Sequence, residues 1–336
     1  MAVAEQRDWM GWVQEYINSC DNPDFKAYVG DHWVLDERFA WLMQNLVELG
    51  RMRNGRVLDI GCGFGWDAAA ISLLANATVV ANDIRREMTS VVESQVAELK
   101  KRGARINVET LTGDICNSAL PNDSFDAVMC QQAIEHIHDL EALFKVCFRI
   151  IKPGGTAIFT NDNNILNRAK FLEVQEMWKM RDTDWAFINE LKKERPIENR
   201  DIQPYAAMRR EIVVRANPAL TEGDVFKVVE ATAGLTTKEI EPLARSYKAG
   251  KSLPTPPFSS WCRNPVTGEF CERHLNPFEL AERLTAHGFK AEVRHGFRKW
   301  PLNWLNGVHV RRLNVMLFNY RPYFMILAVK PKQVSV

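Results

Sequence analysis

The sequence predicts an α/β fold, a mostly parallel sheet of seven strands with helices on both faces. Three observations support this. Apolar runs of strand length alternate with segments of helical spacing between residues 51 and 164. The alternation lapses after Asn164 and resumes beyond residue 275. A glycine-rich turn directly follows the first strand, where such folds pass from strand to helix.

Residues 1–50 read as a helical cap. In DERFAWLMQNLVELG, Phe39, Leu42, Met43, Leu46, Val47 and Leu49 recur at helical spacing, and Gly50 stands where a helix ends. Residues 51–164 read as a nucleotide-binding core. A buried strand, RVLDI, leads through the glycine turn to a helix in DAAAISLLA. Strand ATVVAND, helix REMTSVVESQVAELKKRG, and strands INVETLTGD and FDAVMCQQA follow. Helix DLEALFKVCFRII, the turn KPGG and strand TAIFTND complete this part. Residues 165–275 hold helical stretches (FLEVQEMWKM, GDVFKVVEATAG) and a Pro/Ser-rich loop, KSLPTPPFSSWCRNPVTGE. A segment that long reads as an inserted lid or acceptor pocket. Residues 276–336 supply a helix, PFELAERLTAHG, and the strands FKAEVRHGF and YFMILAVK that complete the sheet.

Composition narrows the function classes. The 336 residues are 46% hydrophobic and 25% charged, with a net charge of +1, so no global field favours nucleic acid or anionic lipid. The N-terminus is charged by Glu5 and Arg7, and no apolar run is long enough to span a bilayer. Seven cysteines with no CxxC pair read as reduced thiols, and the expected location is cytoplasmic.

The strongest motif is VLDIGCGFG, residues 57–65. An apolar strand delivers Asp59, and Gly61, Cys62, Gly63 and Gly65 make the turn, which a ligand can approach without meeting a Cβ. Asp83 and Ile84 end the second strand, where a carboxylate can accept from both hydroxyls of a ribose. Asp114 and Ile115 end the third, placed to accept an adenine amino group and to cover the ring. The fourth strand runs into Gln131 and Gln132, then IEHIHD. The GxGxG spacing differs from the GxGxxG of dinucleotide folds, which argues against a nicotinamide enzyme.

In this order and spacing, these residues resemble the class I methyltransferases that use S-adenosylmethionine, and within them the small-molecule branch, where the stretch after the fourth strand often reads L-E-H-V-x-D. The resemblance covers roughly residues 40–165 and implies a Rossmann-like fold with S-adenosylmethionine as cofactor. It further implies that Asp59 and the Gly61–Gly65 turn hold the methionine part. Asp83 would take the ribose, Asp114 and Ile115 the adenine, and Gln131 and Gln132 would lie beside the sulfonium.

Methyl transfer is mainly a positioning task, and a base is needed only for an acceptor such as a hydroxyl. His136, shortly after the fourth strand, is the candidate base, with His138 the weaker alternate; a role as a cap or a bond within the fold is the competing reading. Some quinone-type O-methyltransferases carry E-V-L-E-H here, with both glutamates and the histidine available to a divalent ion. Gln132 replaces the first glutamate, so no metal is expected.

Trp178, Trp185, Tyr205, Tyr247, Phe258 and Trp261 of the insertion, with Arg209, Arg210, Arg245 and His274, suit either an acceptor pocket or the insertion's own core. The stretch RKWPLNWLNGVHVRRLNVMLFNYRPYF reads first as a cover over the sheet edge or a homodimer contact, and second as a peripheral membrane surface. The expected function is methylation of a small-molecule acceptor, oxygen ahead of nitrogen and carbon. The alternatives are a glycan or lipid-linked acceptor, or a non-catalytic S-adenosylmethionine-binding module. A nucleic-acid substrate is not expected, because CQQA stands where base methylases carry N/D-P-P-Y/F.

Overall fold

The computed structural model describes residues 2–32, 35–196, 199–248, 252–253, 255–256, 261–299, 302–307 and 311–332. The chain divides into two compact units. One comprises Met1–Ile134, Asp139–Asn167 and Asn276–Val336; the other comprises Glu135–His138 and Arg168–Leu275.

The first unit holds α1 (Ala2–Asn18), α2 (Pro23–His32), α3 (Glu37–Gly50), β1 (Arg56–Ile60), α4 (Trp66–Ala75), β2 (Thr78–Asp83) and α5 (Arg86–Lys101). β3 (Val108–Thr112), β4 (Phe125–Gln131), α6 (Leu140–Ile150) and β5 (Ile151–Asn161) follow. After the excursion into the second unit come α12 (Pro277–Ala286), β6 (Lys290–His295), α13 (Arg311–Tyr320) and β7 (Phe324–Val329). The seven strands lie in the order β3-β2-β1-β4-β5-β7-β6. β1 to β5 are parallel, and β7 runs antiparallel to both β5 and β6. This is the Rossmann-like α/β sheet that the alternation predicted.

Alternate residues of the strands face opposite ways, so one sheet needs two apolar covers. Val57, Val79, Ala81, Met129, Ile158 and Met325 join one buried cluster with side chains of α1, α3, α4 and α5. Phe159, of the opposite parity to Ile158, meets Phe144 of α6 edge-on, with ring centroids 5.7 Å apart. Asp36 starts α3 by accepting the backbone amides of Arg38 and Phe39, and Asp139 starts α6 through the amide of Ala142. Where the sequence suggested a turn at KPGG, the chain is extended: those residues lie within β5, and the register against β4 shifts between Phe125 and Ala127. The stretch between β6 and β7, to which the sequence assigned no element, contains the ten-residue helix α13.

The second unit contains α7 (Arg168–Thr183), α8 (Trp185–Glu194), α9 (Tyr205–Ala216), α10 (Glu222–Ala231) and α11 (Thr237–Ser246). Ile212 and Val213 of α9, Val225, Val228 and Val229 of α10, and Ile240 and Ala244 of α11 form its core. Asp184, Thr221 and a Thr236–Glu239 capping box start α8, α10 and α11. Of the aromatics named in the sequence, Tyr247 packs against this core and Trp178 joins a separate cluster with Val174 and Cys262. Trp178 and Tyr205 are buried, whereas Trp185 is exposed. Arg210 and Arg245 pair with Glu222 and Glu241 at the surface. His274 lies 4.5 Å from the rings of both Phe171 and Trp178, and burial pushes its pKa down to about 4, so it is a neutral packing residue. Phe258 lies outside the described residues.

All seven cysteines are free thiols, and among the described residues no helix is long and apolar enough to cross a membrane.

Arg209 is 1% exposed and makes a two-point contact with Asp182, at 2.6 and 3.1 Å, while its Nε donates to the carbonyl of Val229. Removing one partner would leave the other charge buried. Asp182→Ala is expected to destabilise the second unit by about 3–5 kcal/mol, and Asp182→Ala with Arg209→Met to recover most of that loss. Urea denaturation of the four proteins measures both.

Candidate functional site

Strand order reverses between β1 and β4: from β1 the sheet continues to β2 on one side and to β4 on the other. The carboxyl ends of β1 and β4 therefore diverge, and this is where open α/β sheets take ligands. The cofactor-binding candidates of the sequence, from Asp59 to Gln132, belong to the first unit and lie at or just past the carboxyl ends of β1 to β4, whereas His136 belongs to the second unit.

The turn after β1 is built from glycines because its backbone demands them. Gly61, Gly63 and Gly65 have φ of +69°, +51° and +78°. A Cβ on Gly61 would lie 2.4 Å from the Cβ of Ala133, whereas one on Gly63 would project into open space, so Gly63 leaves its backbone open to a ligand. Two bonds tie the turn to its neighbours. The amide of Cys62 donates to Asn82 O at 2.9 Å, and that of Gly63 donates to Asp83 Oδ2 at 3.0 Å. From behind, the Tyr16 hydroxyl donates to Phe64 O at 2.7 Å, which joins α1 to the turn.

Asp83 also accepts the amide of Arg85 on Oδ1, at 3.0 Å. Ile84 beside it is 50% exposed. Asp114 caps a 3-10 turn, Ile115–Asn117, by accepting from the amide of Cys116 at 2.9 Å and from Asn117 Nδ2 at 2.7 Å, and Ile115 is buried beneath. The Cys62 thiol is pushed well above its ordinary pKa by burial and by Asp59 and Asp83, which leaves it protonated and unreactive. Gln132 adopts φ +49° at the end of β4 and is tied by its amide to Thr160 O at 3.0 Å.

One member of the site was missed in the sequence. Asp67, in the first turn of α4, accepts a hydrogen bond from Gln131 Nε2 at 2.7 Å. Asp67 Oδ1, Gln131 Oε1 and Asp59 Oδ2 are buried and accept no hydrogen bond from the described residues. Burial pushes the pKa of Asp67 up to about 7; burial, Asp67 and Asp83 push Asp59 well above the carboxylate range. Two carboxyls and an amide oxygen thus present acceptors with no donor, which suits a ligand that brings positive charge or N–H groups. Asp67 falls two residues past the glycine trio, in the run WDAAAISLL; a lone carboxylate in an apolar helix was the available signal.

In the second unit, the turn Glu135–His138 is tied to a loop before residue 275. His136 Nδ1 lies 2.9 Å from Phe270 O, and the Phe270 amide donates to His136 O at 3.3 Å. A carbonyl can only accept, so Nδ1 is the donor in this contact. Glu135, His136 and Glu272 bring one ligand atom each to within 4.8 Å of one another, a group able to hold a divalent cation. The absence of a carboxylate at Gln132 had argued against a metal; Glu272, distant in sequence, was outside that reasoning.

The pKa of Asp67 carries a stability signature. Between pH 4 and 7 the unfolded carboxyl is ionised while the folded one keeps its proton, so the folded form binds more protons and loses stability as pH rises. The loss from this group amounts to at most about 4 kcal/mol across that window. Asp67→Asn is expected to flatten the fall in melting temperature from pH 4 to 7, read by scanning calorimetry on the ligand-free protein.

Comparison with known proteins agrees with this edge. A family model described as a methyltransferase domain matches residues 58–159. A sterol 24-C-methyltransferase of Aspergillus fumigatus is 32% identical over 128 residues, covering 34% of this chain and 32% of that protein. A ubiquinone biosynthesis O-methyltransferase of Pseudomonas putida is 29% identical over 132 residues, covering 39% and 53%. The chain thus spans between a third and about half of the length of these curated relatives. Among solved structures, an S-adenosylmethionine-dependent methyltransferase from Mesorhizobium loti overlays with a TM-score of 0.43 at 14% identity, covering 87% of this chain and 98% of that one. The glycine turn and the acidic strand ends thus lie within residues 58–159, the stretch of the chain that matches a methyltransferase domain.

Proposed function

We propose that this protein binds S-adenosylmethionine at the carboxyl edge of β1, β2 and β4 and moves its methyl group to a small-molecule acceptor, oxygen ahead of nitrogen and carbon. The observation that carries the reading is the set of buried acceptors, Asp59 Oδ2, Asp67 Oδ1 and Gln131 Oε1, beside a glycine turn open to a ligand. The cofactor has an α-ammonium and a sulfonium, and so brings the positive charge these groups lack.

The residues fit that cofactor in assigned roles. Asp59 and the backbone of Gly61, Cys62, Gly63 and Gly65 would hold the methionine part, with Asp67 now beside them. Asp83, which accepts the amides of Gly63 and Arg85, would take the ribose hydroxyls. Ile84, exposed at the edge, and Ile115 would bracket the adenine, with Asp114 accepting from its amino group. Gln131 and Gln132 would face the sulfonium. When bound, the cofactor supplies an electrophilic methyl on a good leaving group. The chain's own work is to hold an acceptor atom in line and keep water away.

The preference for oxygen rests on His136. Its Nδ1 donates to Phe270 O, so in the neutral ring Nε2 is the acceptor that a general base needs, and His136 follows Gln131 by five residues along the chain. The relatives' names include both an O- and a C-methyltransferase, so the acceptor atom depends on this residue and not on the likeness. A second reading is supported by Glu135 and Glu272: the three side chains hold a divalent cation that activates the acceptor instead.

Calorimetric titration with S-adenosylhomocysteine, with NAD as control, tests the cofactor. Micromolar binding of the former alone is expected; binding of NAD instead, or of neither, would sink the assignment. Asp83→Ala should weaken that binding by about 1–3 kcal/mol, through loss of charge-assisted hydrogen bonds. Unchanged affinity would remove Asp83 from the ribose.

His136→Ala should lower turnover roughly a hundredfold with homocysteine-product affinity kept. As a base, His136 works in the presence of EDTA. Loss of turnover in EDTA that manganese restores would transfer the role to a metal held by Glu135, His136 and Glu272.

A further inference from the structure

The connection between β6 and β7 exposes Leu302, Trp304, Met316 and Tyr320 among its described residues, and its sequence, 296–323, contains no Asp or Glu. β7 runs antiparallel to β5 and β6 antiparallel to β7, so β6 ends and β7 begins at the carboxyl ends of the parallel strands. That edge also carries the Gly61–Gly65 turn, Asp83 and Gln131. Asn164 Nδ2 donates to Pro322 O at 3.0 Å, and Asn167 Nδ2 donates to Phe318 O and Asn319 O at 2.9 Å. α13 is thereby pinned to the chain leaving β5.

The helix buries Asn314 and Phe318, and its opposite stripe, Arg312, Met316 and Tyr320 at four-residue spacing, faces outward. Met316 is 69% exposed and Tyr320 86%. In the 3-10 turn Leu302–Gly307 just before it, Leu302 and Trp304 are 47% and 63% exposed. A helix that turns methionine and tyrosine outward reverses the usual rule for a surface helix.

Charge selects the partner. Residues 296–321 include Arg298, Lys299, Arg311, Arg312 and Arg321 and no Asp or Glu. One acid from elsewhere, Glu37 of α3, pairs with Arg298 at 3.2 Å. A second copy of this chain docked through the same patch would set Lys299 and Arg312, both exposed, against their equals, while the patch itself contains no Asp or Glu. An anionic bilayer answers both properties, since Trp, Tyr, Leu and Met seat at the headgroup boundary while Arg and Lys meet phosphate.

We propose that the β6–β7 connection docks this protein on an anionic membrane surface, with Leu302, Trp304, Met316 and Tyr320 entering the interface. The docking stands apart from the methyl-transfer reading. One consequence rests on that reading: the docked face shares the cofactor's edge of the sheet, so the acceptor class it favours is a small molecule dissolved in the bilayer.

Co-sedimentation of the full chain with vesicles tests it. Phosphatidylcholine vesicles with about 30% phosphatidylglycerol should bind at least tenfold more protein than phosphatidylcholine alone, and about 0.5 M salt should reduce that binding. A Trp304→Ser, Met316→Ser, Tyr320→Ser variant should lose binding tenfold or more with its melting temperature kept, because all three side chains are exposed. Arg312→Glu alone should weaken it severalfold, which keeps the test open if the triple variant misfolds. No binding to anionic vesicles, or equal binding by the variants, overturns the proposal. So does a concentration-dependent dimer that the triple variant dissolves. Titrating the same preparation with S-adenosylhomocysteine separates the readings: cofactor binding without vesicle binding overturns docking alone, and vesicle binding without cofactor binding supports docking while removing the methyl-transfer reading.

Discussion

Buried carboxyl groups, each with an oxygen that no donor among the described residues meets, are the constraint around which the first unit is organised. Asp59 ends β1 at 2% exposure, and Asp67 begins α4 only eight residues later. A buried carboxylate without a donor costs several kcal/mol, or it takes up a proton. Both groups here have raised pKa values, so they have adopted the second course. A fold tolerates this when the rest of its core is large and a ligand later supplies the missing charge. The seven-stranded sheet, covered on one face by α1, α3, α4 and α5, is that core.

The turn that follows Asp59 explains why several distant segments must agree. Gly61 has no room for a side chain because Ala133, beyond β4, occupies the space. Gly65 is equally confined: a Cβ there would meet Val92 of α5 at 2.6 Å and the Tyr16 hydroxyl at 3.0 Å. Gly63 alone of the three faces open space. Steric need and ligand access are thus divided among neighbouring glycines. The Asp83 carboxylate shapes the same turn by accepting the Gly63 amide.

In the second unit, Trp178, Tyr205 and Arg209, aromatic and cationic residues that the sequence left open between a pocket and the insertion's own core, are all buried. Arg209 satisfies its charge on Asp182 and its remaining donor on Val229 O, which ties α9 to α7 and α10. What this unit contributes to chemistry is smaller and lies elsewhere. Its loop at Phe270–Glu272 accepts from His136 Nδ1 and places a second carboxylate near Glu135.

The local pattern of the chain was enough to identify the sheet and the glycine turn. Period-two apolar runs and residues that tolerate positive φ are local properties, read over five to ten positions, and all seven strands and Asp83 followed from them. Three features were decided only by tertiary structure. Asp67 became part of the site because α4 packs so that its first turn meets Gln131, 64 residues away. Glu272 joined His136 across 136 positions through a loop whose pairing no periodicity announces. The outward face of α13 emerged because Asn314 and Phe318, not Met316 and Tyr320, were taken into the core. Sequence patterns record what each segment can bury; which atoms are left facing a ligand depends on contacts between segments that the pattern does not encode.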